Sequence, residues 1–178
     1  WGAADRGLDI QGAAVAVQGF GKVGSQAARC LAAAGAKIVA VSGSRGGLYR
    51  KAGIDIDKLI ERLHRPDGPR RLDELDDDDM DRISNGELLS LDVDILIPAA
   101  VSDVITSDNA GEVRADLVVE AANSPLTCRA AAMLEDRGVT VIPDILANAG
   151  GVVVSYLEWA NNHRHRATSE EEVAAELE

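Results

Sequence analysis

The strongest constraint on this chain is one glycine pattern, Gly19-Phe20-Gly21-Lys22-Val23-Gly24, together with what flanks it. Residues 13–18 before it form an apolar run of strand length. Residues 22–34 after it carry a helical stripe of Val23, Ala27, Cys30, Leu31 and Ala34, closed by Gly35 as a stop. A second apolar run, 37–42, follows. Each glycine of such a pattern has a physical task. The first permits a tight turn, the second lets backbone approach a pyrophosphate, and the third lets helix and strand lie close. The helix start adds unpaired N–H groups and the positive end of its dipole, both suited to phosphate. The same glycines could serve chain reversal alone. The succession strand, turn, helix, strand favours a dinucleotide cradle at Gly19, Phe20, Gly21, Lys22, Val23 and Gly24.

The rest of the chain repeats that alternation. Runs at 93–97, 117–121 and 139–142 read as strands, and helical stretches at 55–64, 127–137 (ended by Gly138) and 148–161 separate or follow them. Ser84 with Glu87 has the spacing of a capping box, Thr106 is predicted to cap a helix over 106–113, and Ser169 with Glu172 to open a last helix. The glycine-rich stretch 44–53 reads as a turn and small hairpin rather than a regular element. The whole is an α/β pattern, a doubly wound Rossmann-type parallel sheet. At 178 residues it is one dinucleotide-binding domain over 1–178, able to bury about 70% of its unfolded surface without staples.

Residues 65–82 interrupt the pattern with Pro66, Gly68, Pro69 and the acidic cluster Asp73, Glu74, Asp76, Asp77, Asp78, Asp79 and Asp81. Adjacent aspartates lack the spacing that converges carboxylates on a cation, so a solvated, partly disordered loop is expected. With 30 acidic against 18 basic residues the net charge is -12, which opposes nucleic acid or an anionic membrane as partner. No apolar run reaches membrane-spanning length. Cys30 and Cys128 lie in alanine-rich segments and are predicted to be buried thiols of a reducing, cytoplasmic compartment. His163 and His165 lack a third ligand nearby, so a solvated helix-end loop is expected and no metal site. Tyr156 and Trp159 are assigned to the core. Trp1 is neither an initiator methionine nor part of a signal sequence, so a preceding segment is expected.

Two further stretches bear on a ligand. The end of the second strand reads Ser42-Gly43-Ser44-Arg45, with no carboxylate where an adenosine ribose is usually held. Small hydroxyl residues and an arginine admit a 2'-phosphate, a slight lean to NADP over NAD, unless Arg45 simply points to solvent. Asn123 after the fourth parallel run and Asn148 after the fifth stand at the sheet edge that holds ligands. Either could be a turn or cap residue, and either could meet a carboxamide. Asn148, Val152 and Ser155 are spaced to share a helix face.

Residues 18–24, Leu96-Ile97-Pro98-Ala99-Ala100, Glu120-Ala121-Ala122-Asn123 and the run from Pro143 to Trp159 resemble the cofactor domain of the glutamate, leucine, phenylalanine and valine dehydrogenases. The likeness covers essentially the whole chain and is to the glutamate branch. It implies that Gly19 to Gly24 hold a pyrophosphate and that Ser42, Gly43, Ser44 and Arg45 surround the adenosine ribose. Ala99, Ala100 and Val101 would line the adenine side, Ala122 and Asn123 lie near the nicotinamide ribose, and Asn148 fixes the carboxamide. Val152 and Ser155 would contact the substrate side chain and its distal carboxylate. Three positions depart from the family: Ala4 for a usual Thr, Gly43 for a common Asp, and Ala121 for a usual Gly.

The resemblance further implies NAD(P) as cofactor and reversible oxidative deamination of L-glutamate in a homo-oligomeric parent enzyme. Its catalytic lysine and aspartate would stand on an N-terminal substrate domain outside this chain. The chain alone is then expected to be inactive. A non-catalytic dinucleotide-sensing module is the alternative.

Overall fold

The computed structural model describes residues 7–163 and residue 169. Seven strands form one sheet: β1 (Ala14–Gln18), β2 (Lys37–Gly43), β3 (Gly46–Tyr49), β4 (Asp81–Ile83), β5 (Ile95–Pro98), β6 (Leu117–Val119) and β7 (Thr140–Ile142), in the order β4-β3-β2-β1-β5-β6-β7. The five strands β2, β1, β5, β6 and β7 run parallel, and β3 and β4 add an antiparallel edge. The six helices described are α1 (Lys22–Ala33), α2 (Ile56–His64), α3 (Asn85–Leu89), α4 (Cys128–Asp136), α5 (Asp144–Ala147) and α6 (Ala149–His163).

Strand alternation sorts the core into two layers. Val15, Val17, Ile38, Val41, Ile95 and Ile97 face Ala28 of α1 and Ile56 and Leu59 of α2. Ala16, Val39, Ala40, Leu96 and Val118 face Leu88 and Leu89 of α3 and Ala130 and Leu134 of α4. Helices therefore cover both sides, as a doubly wound sheet requires.

Local chemistry places the ends as expected in several elements. Asp55 accepts from the Lys58 amide at the start of α2, and Thr127 from the Ala130 amide at the start of α4. The capping box closes in both directions: the Glu87 amide donates to Ser84 Oγ (3.1 Å) and the Ser84 amide to Glu87 Oε2 (2.7 Å). These bonds hold the Glu87 carboxyl below its usual range. Gly35 and Gly138 both take positive φ after their helices.

Several expectations are corrected. The hairpin expected over 44–53 is present, but residues 46–49 form a regular strand of it, antiparallel to β2. Residues 65–82 are no disordered loop but pack on the sheet: Leu72 and Leu75 are buried against it, and Asp81–Ile83 adds the edge strand. Arginines make this possible by neutralising the acidic run. Arg62 pairs with Asp77, Arg71 with Asp73 and Glu74, and Arg82 donates to the carbonyls of Asp73 and Leu75. The Arg62 guanidinium holds the Asp77 carboxyl below its usual range.

Residues 106–113 contain only a single 3-10 turn at Ala110–Glu112, because Asn109 accepts from the Thr106 amide and donates to the Val104 carbonyl, closing a side-chain turn. Cys30 and Cys128 are exposed and free. The packed side of α1 runs instead through Gly24 and Ala28, leaving Val23 and Cys30 outward. Tyr156 and Trp159 lie on an exposed face of α6, and His163 ends that helix with its ring stacked on Trp159. Ala4, His165 and the Ser169–Glu172 capping box fall wholly or partly outside the described residues. Among the described residues, no helix is long and apolar enough to cross a membrane.

Candidate coenzyme site

The chain leaves β1 toward β2 on one side, and later leaves β5 toward β6 on the other. Between β1 and β5 the carboxyl ends therefore open a crevice at the point where the winding reverses. The glycine turn sits there, and its three glycines are constrained in three different ways. Gly19 has φ +93°, and a Cβ on it would come within 2.7 Å of Ala100 Cα and N. A Cβ on Gly24 would overlap the Gly19 carbonyl oxygen. Gly21 is the opposite case, since a Cβ there would meet nothing within 4 Å.

Gly21 is also the N-cap of α1, with no side-chain cap and no acidic residue in the first turn. The first N–H groups of that helix have no partner inside it. The amides of Gly19 and Phe20 donate to the Ser42 carbonyl at 2.9 and 2.7 Å, which pins the turn to β2. Buried Gln18, at the end of β1, has an Oε1 with no partner among the described residues. Space over Gly21, an uncapped helix start and a backbone-lined floor fit a pyrophosphate group.

An open cleft of about 750 Å³ continues from the turn. It gathers eight of the residues singled out in the sequence: Val23, Ala99, Ala100, Val101, Ala122, Asn123, Asn148 and Val152. Ala121 also lines it, so the extra methyl at that position faces the cleft. Phe20, Gly21 and Lys22 border a separate recess of about 440 Å³ beside α2, with His64 and Arg70 on its far wall.

The end of β2 differs from the simple expectation. Ser42 is fully buried and its hydroxyl donates to Asn85 Oδ1 at 2.7 Å, so its side chain belongs to the core rather than to a ribose. Asn85 Nδ2 in turn donates to the Gly43 carbonyl. Ser44 and Arg45 are exposed at the hairpin turn, where Arg45 Nη1 stands 3.8 Å from Asp73 Oδ2. A carboxylate is therefore present near this corner, but it comes from the acidic segment rather than the strand.

At the opposite end of the cleft the two asparagines meet, with Asn148 Nδ2 donating to Asn123 Oδ1 at 2.9 Å. Asn148 links α5 to α6 and does not share a regular helix face with Val152 and Ser155. Ser155 is not among the lining residues, and its hydroxyl donates to the Gly151 carbonyl at 3.0 Å.

Two carboxylates that the sequence reading left without a role organise this end. Glu120 Oε2 accepts from the Asp144 amide at 2.9 Å, and Asp144 Oδ2 accepts from the Ser124 amide at 2.8 Å. Burial, with the Asp144 charge adding to it, raises the Glu120 carboxyl above its usual value. A signal for both was available: Glu120 stands directly before the Ala-Ala-Asn stretch, and Asp144 follows Pro143 at a helix start.

Topology and cleft together define a Rossmann-type α/β domain with its crevice at the switch point. The model of the Glutamate/Leucine/Phenylalanine/Valine dehydrogenase family matches residues 2–178, and the chain belongs to that family. Over 173 residues it is 49% identical to the cryptic catabolic NAD-specific glutamate dehydrogenase GudB of Bacillus subtilis, covering 97% of this chain and 39% of that protein. Glutamate dehydrogenase A2 of Halobacterium salinarum is 52% identical over 169 residues, covering 95% of this chain and 39% of its own length. Among solved structures, the hetero-hexameric glutamate dehydrogenase of Thermus thermophilus in its Leu-bound form superposes with a TM-score of 0.85 at 36% identity, across 98% of this chain and 40% of that one. The chain thus spans about two-fifths of the length of these relatives.

Proposed function

We propose that this chain is the coenzyme-binding domain of a glutamate dehydrogenase and holds NAD(P) across the crevice between β1 and β5. The observation that carries this reading is the cleft that runs from Val23 and Ala100, which packs on Gly19, to the Asn123–Asn148 pair, with the space over Gly21 opening beside it. The α1 start receives the pyrophosphate, Ala99, Ala100 and Val101 give the adenine an apolar wall, Asn123 lies near the nicotinamide ribose, and Asn148, bonded to it, orients the carboxamide. When bound, the coenzyme supplies hydride acceptance and donation at its nicotinamide ring.

Neither strand end nor helix start carries a carboxylate that would repel a 2'-phosphate, which supports admission of NADP. Pairing of Arg45 with Asp73 removes the free cation that would select it, and GudB is named NAD-specific. We infer use of both coenzymes, without the stronger preference for NADP.

The parent reaction is reversible oxidative deamination of L-glutamate to 2-oxoglutarate and ammonia. Val152 gives the substrate side chain a wall, and Ser155 turns from Gly151 to meet its distal carboxylate. The lysine and aspartate that polarise the carbonyl and move protons stand on a substrate domain in the remaining length of such proteins, so the present chain alone is inactive. Support for this arrangement comes from α6, which buries none of its residues and exposes Val152, Tyr156 and Trp159. An apolar face of that kind marks a contact with other parts of a protein or assembly.

Fluorescence titration with NADH and NADPH tests the reading. Both are expected to bind with dissociation constants within about tenfold of each other. Absence of binding by either below about 1 mM overturns it, since even a weak site gains roughly 4 kcal/mol at that level.

A further inference from the structure

We propose that Glu120 is the positioning residue of the Asn123–Asn148 pair, holding the Asp144 amide and, through Asp144, fixing where the two asparagine side chains meet. The inference rests on the coenzyme reading above, and it assigns a role to a residue that does not line the cleft. Glu120 is 7% exposed. A carboxylate is costly to bury unless it is satisfied, and Asp144, whose charge faces it, adds to that cost rather than relieving it. Such a group needs a structural return, and the hydrogen bonds show one.

They form a closed circuit. The Glu120 amide donates to the Ile142 carbonyl at 3.0 Å, and its carboxylate accepts from the Asp144 amide at 2.9 Å. Asp144 grips the Ser124 amide with Oδ2, while its carbonyl accepts from the Asn148 amide at 2.9 Å. Ser124 has φ +46°, a left-handed conformation that a non-glycine residue keeps only when its surroundings impose it. Asn123 precedes Ser124, and Asn148 completes the circuit through its bond to Asn123. On the α5–α6 side no residue is buried, so hydrogen bonds rather than core packing hold that side, whereas buried Pro125 and Leu126 follow Ser124 on the other. Truncating Glu120 leaves the Asp144 amide without its acceptor and loosens the Asn148 end of the pair, while the Ala121 and Ala122 amides still donate to the Pro98 carbonyl and the Asp103 amide to the Ser124 carbonyl at the Asn123 end.

The test compares NADH with adenosine diphosphate ribose, which lacks nicotinamide, on the full chain. Glu120→Ala should raise the dissociation constant for NADH about tenfold, the order expected for one lost hydrogen bond to a charged group, and leave that for adenosine diphosphate ribose within about twofold. Glu120→Gln, whose Oε1 still accepts from the Asp144 amide, should restore NADH affinity. Amide exchange at Ser124, Asp144 and Asn148 should quicken in Glu120→Ala and not in Glu120→Gln. Equal weakening of both ligands, or unchanged NADH affinity and exchange in Glu120→Ala, overturns the inference. If the unmodified chain binds neither ligand, it is the coenzyme reading that falls, and the exchange rates alone then decide whether Glu120 positions the pair.

Discussion

The two ends of the cleft are built by opposite means. At the glycine turn, backbone meets backbone: Gly19 lies against Ala100, Gly24 against the Gly19 carbonyl, and Val17 and Ala28 seal the contact from the core. At the asparagine pair nothing is sealed. The Glu120 and Asp144 carboxylates accept from the backbone amides of Asp144 and Ser124, Asn148 donates to Asn123, and the helices that follow stay outside the core. Steric contact fixes the first end at every moment, whereas a chain of hydrogen bonds fixes the second only while each link is made. On the proposed coenzyme reading, the first kind of order suits a phosphate cradle. On the same reading, the second kind suits a nicotinamide end that opens to a substrate.

Breaking the steric end should have the largest effect. Gly24→Ala puts a methyl onto the Gly19 carbonyl oxygen, and overpacking of this sort should cost about 3 kcal/mol in urea denaturation. Asp144→Ala should cost less, about 1–2 kcal/mol, and chiefly as faster amide exchange at Ser124 rather than as a lower global midpoint. Equal global losses in the two variants would erase the contrast between the ends.

A smaller effect concerns Glu120 and pH. Its carboxyl is raised above the usual 4.5 in the folded chain, so the native state prefers the protonated form and the charged form subtracts stability at neutral pH. Glu120→Gln should therefore melt slightly higher than the parent at pH 7, with the advantage vanishing as pH falls below 4.5. An advantage that grows on acidification would contradict the burial of the charge. Smallest of all is Trp159→Ser, expected to change stability by less than about 0.5 kcal/mol because the ring lies exposed and, among the described residues, its aromatic neighbours are Tyr156 and His163 on the same helix.

The steric end was legible in the sequence and the hydrogen-bonded end only in outline. Glycines betray backbone geometry by their identity, and strand runs such as residues 14–18 betray burial by continuity, so the turn and the parallel sheet could be read directly. Glu120 and Asp144 were marked only by position, beside the Ala-Ala-Asn stretch and after Pro143, because a carboxylate that grips a distant amide has the same sequence identity as one in water. The acidic segment was misread for a related reason. Its order comes from Arg62, Arg71 and Arg82, and from Leu72 and Leu75 finding the sheet, which a local count of aspartates does not reveal. Cys30, Tyr156 and Trp159 show the limit of helical periodicity: it identifies an apolar stripe but not which part of it another element covers.

The antiparallel pair at the sheet's end also bears on how this chain behaves among its own copies. An open parallel edge at β2 would offer a row of free amides and carbonyls as a template for pairing with a second molecule. Instead β3 covers β2, and the outermost strand, β4, is three residues long, with Asp81 and Arg82 exposed on it. Brevity and charge are the two features that make a border strand a poor seed for intermolecular sheets. The acidic segment that delivers β4 therefore leaves this border of the sheet a poor template for pairing.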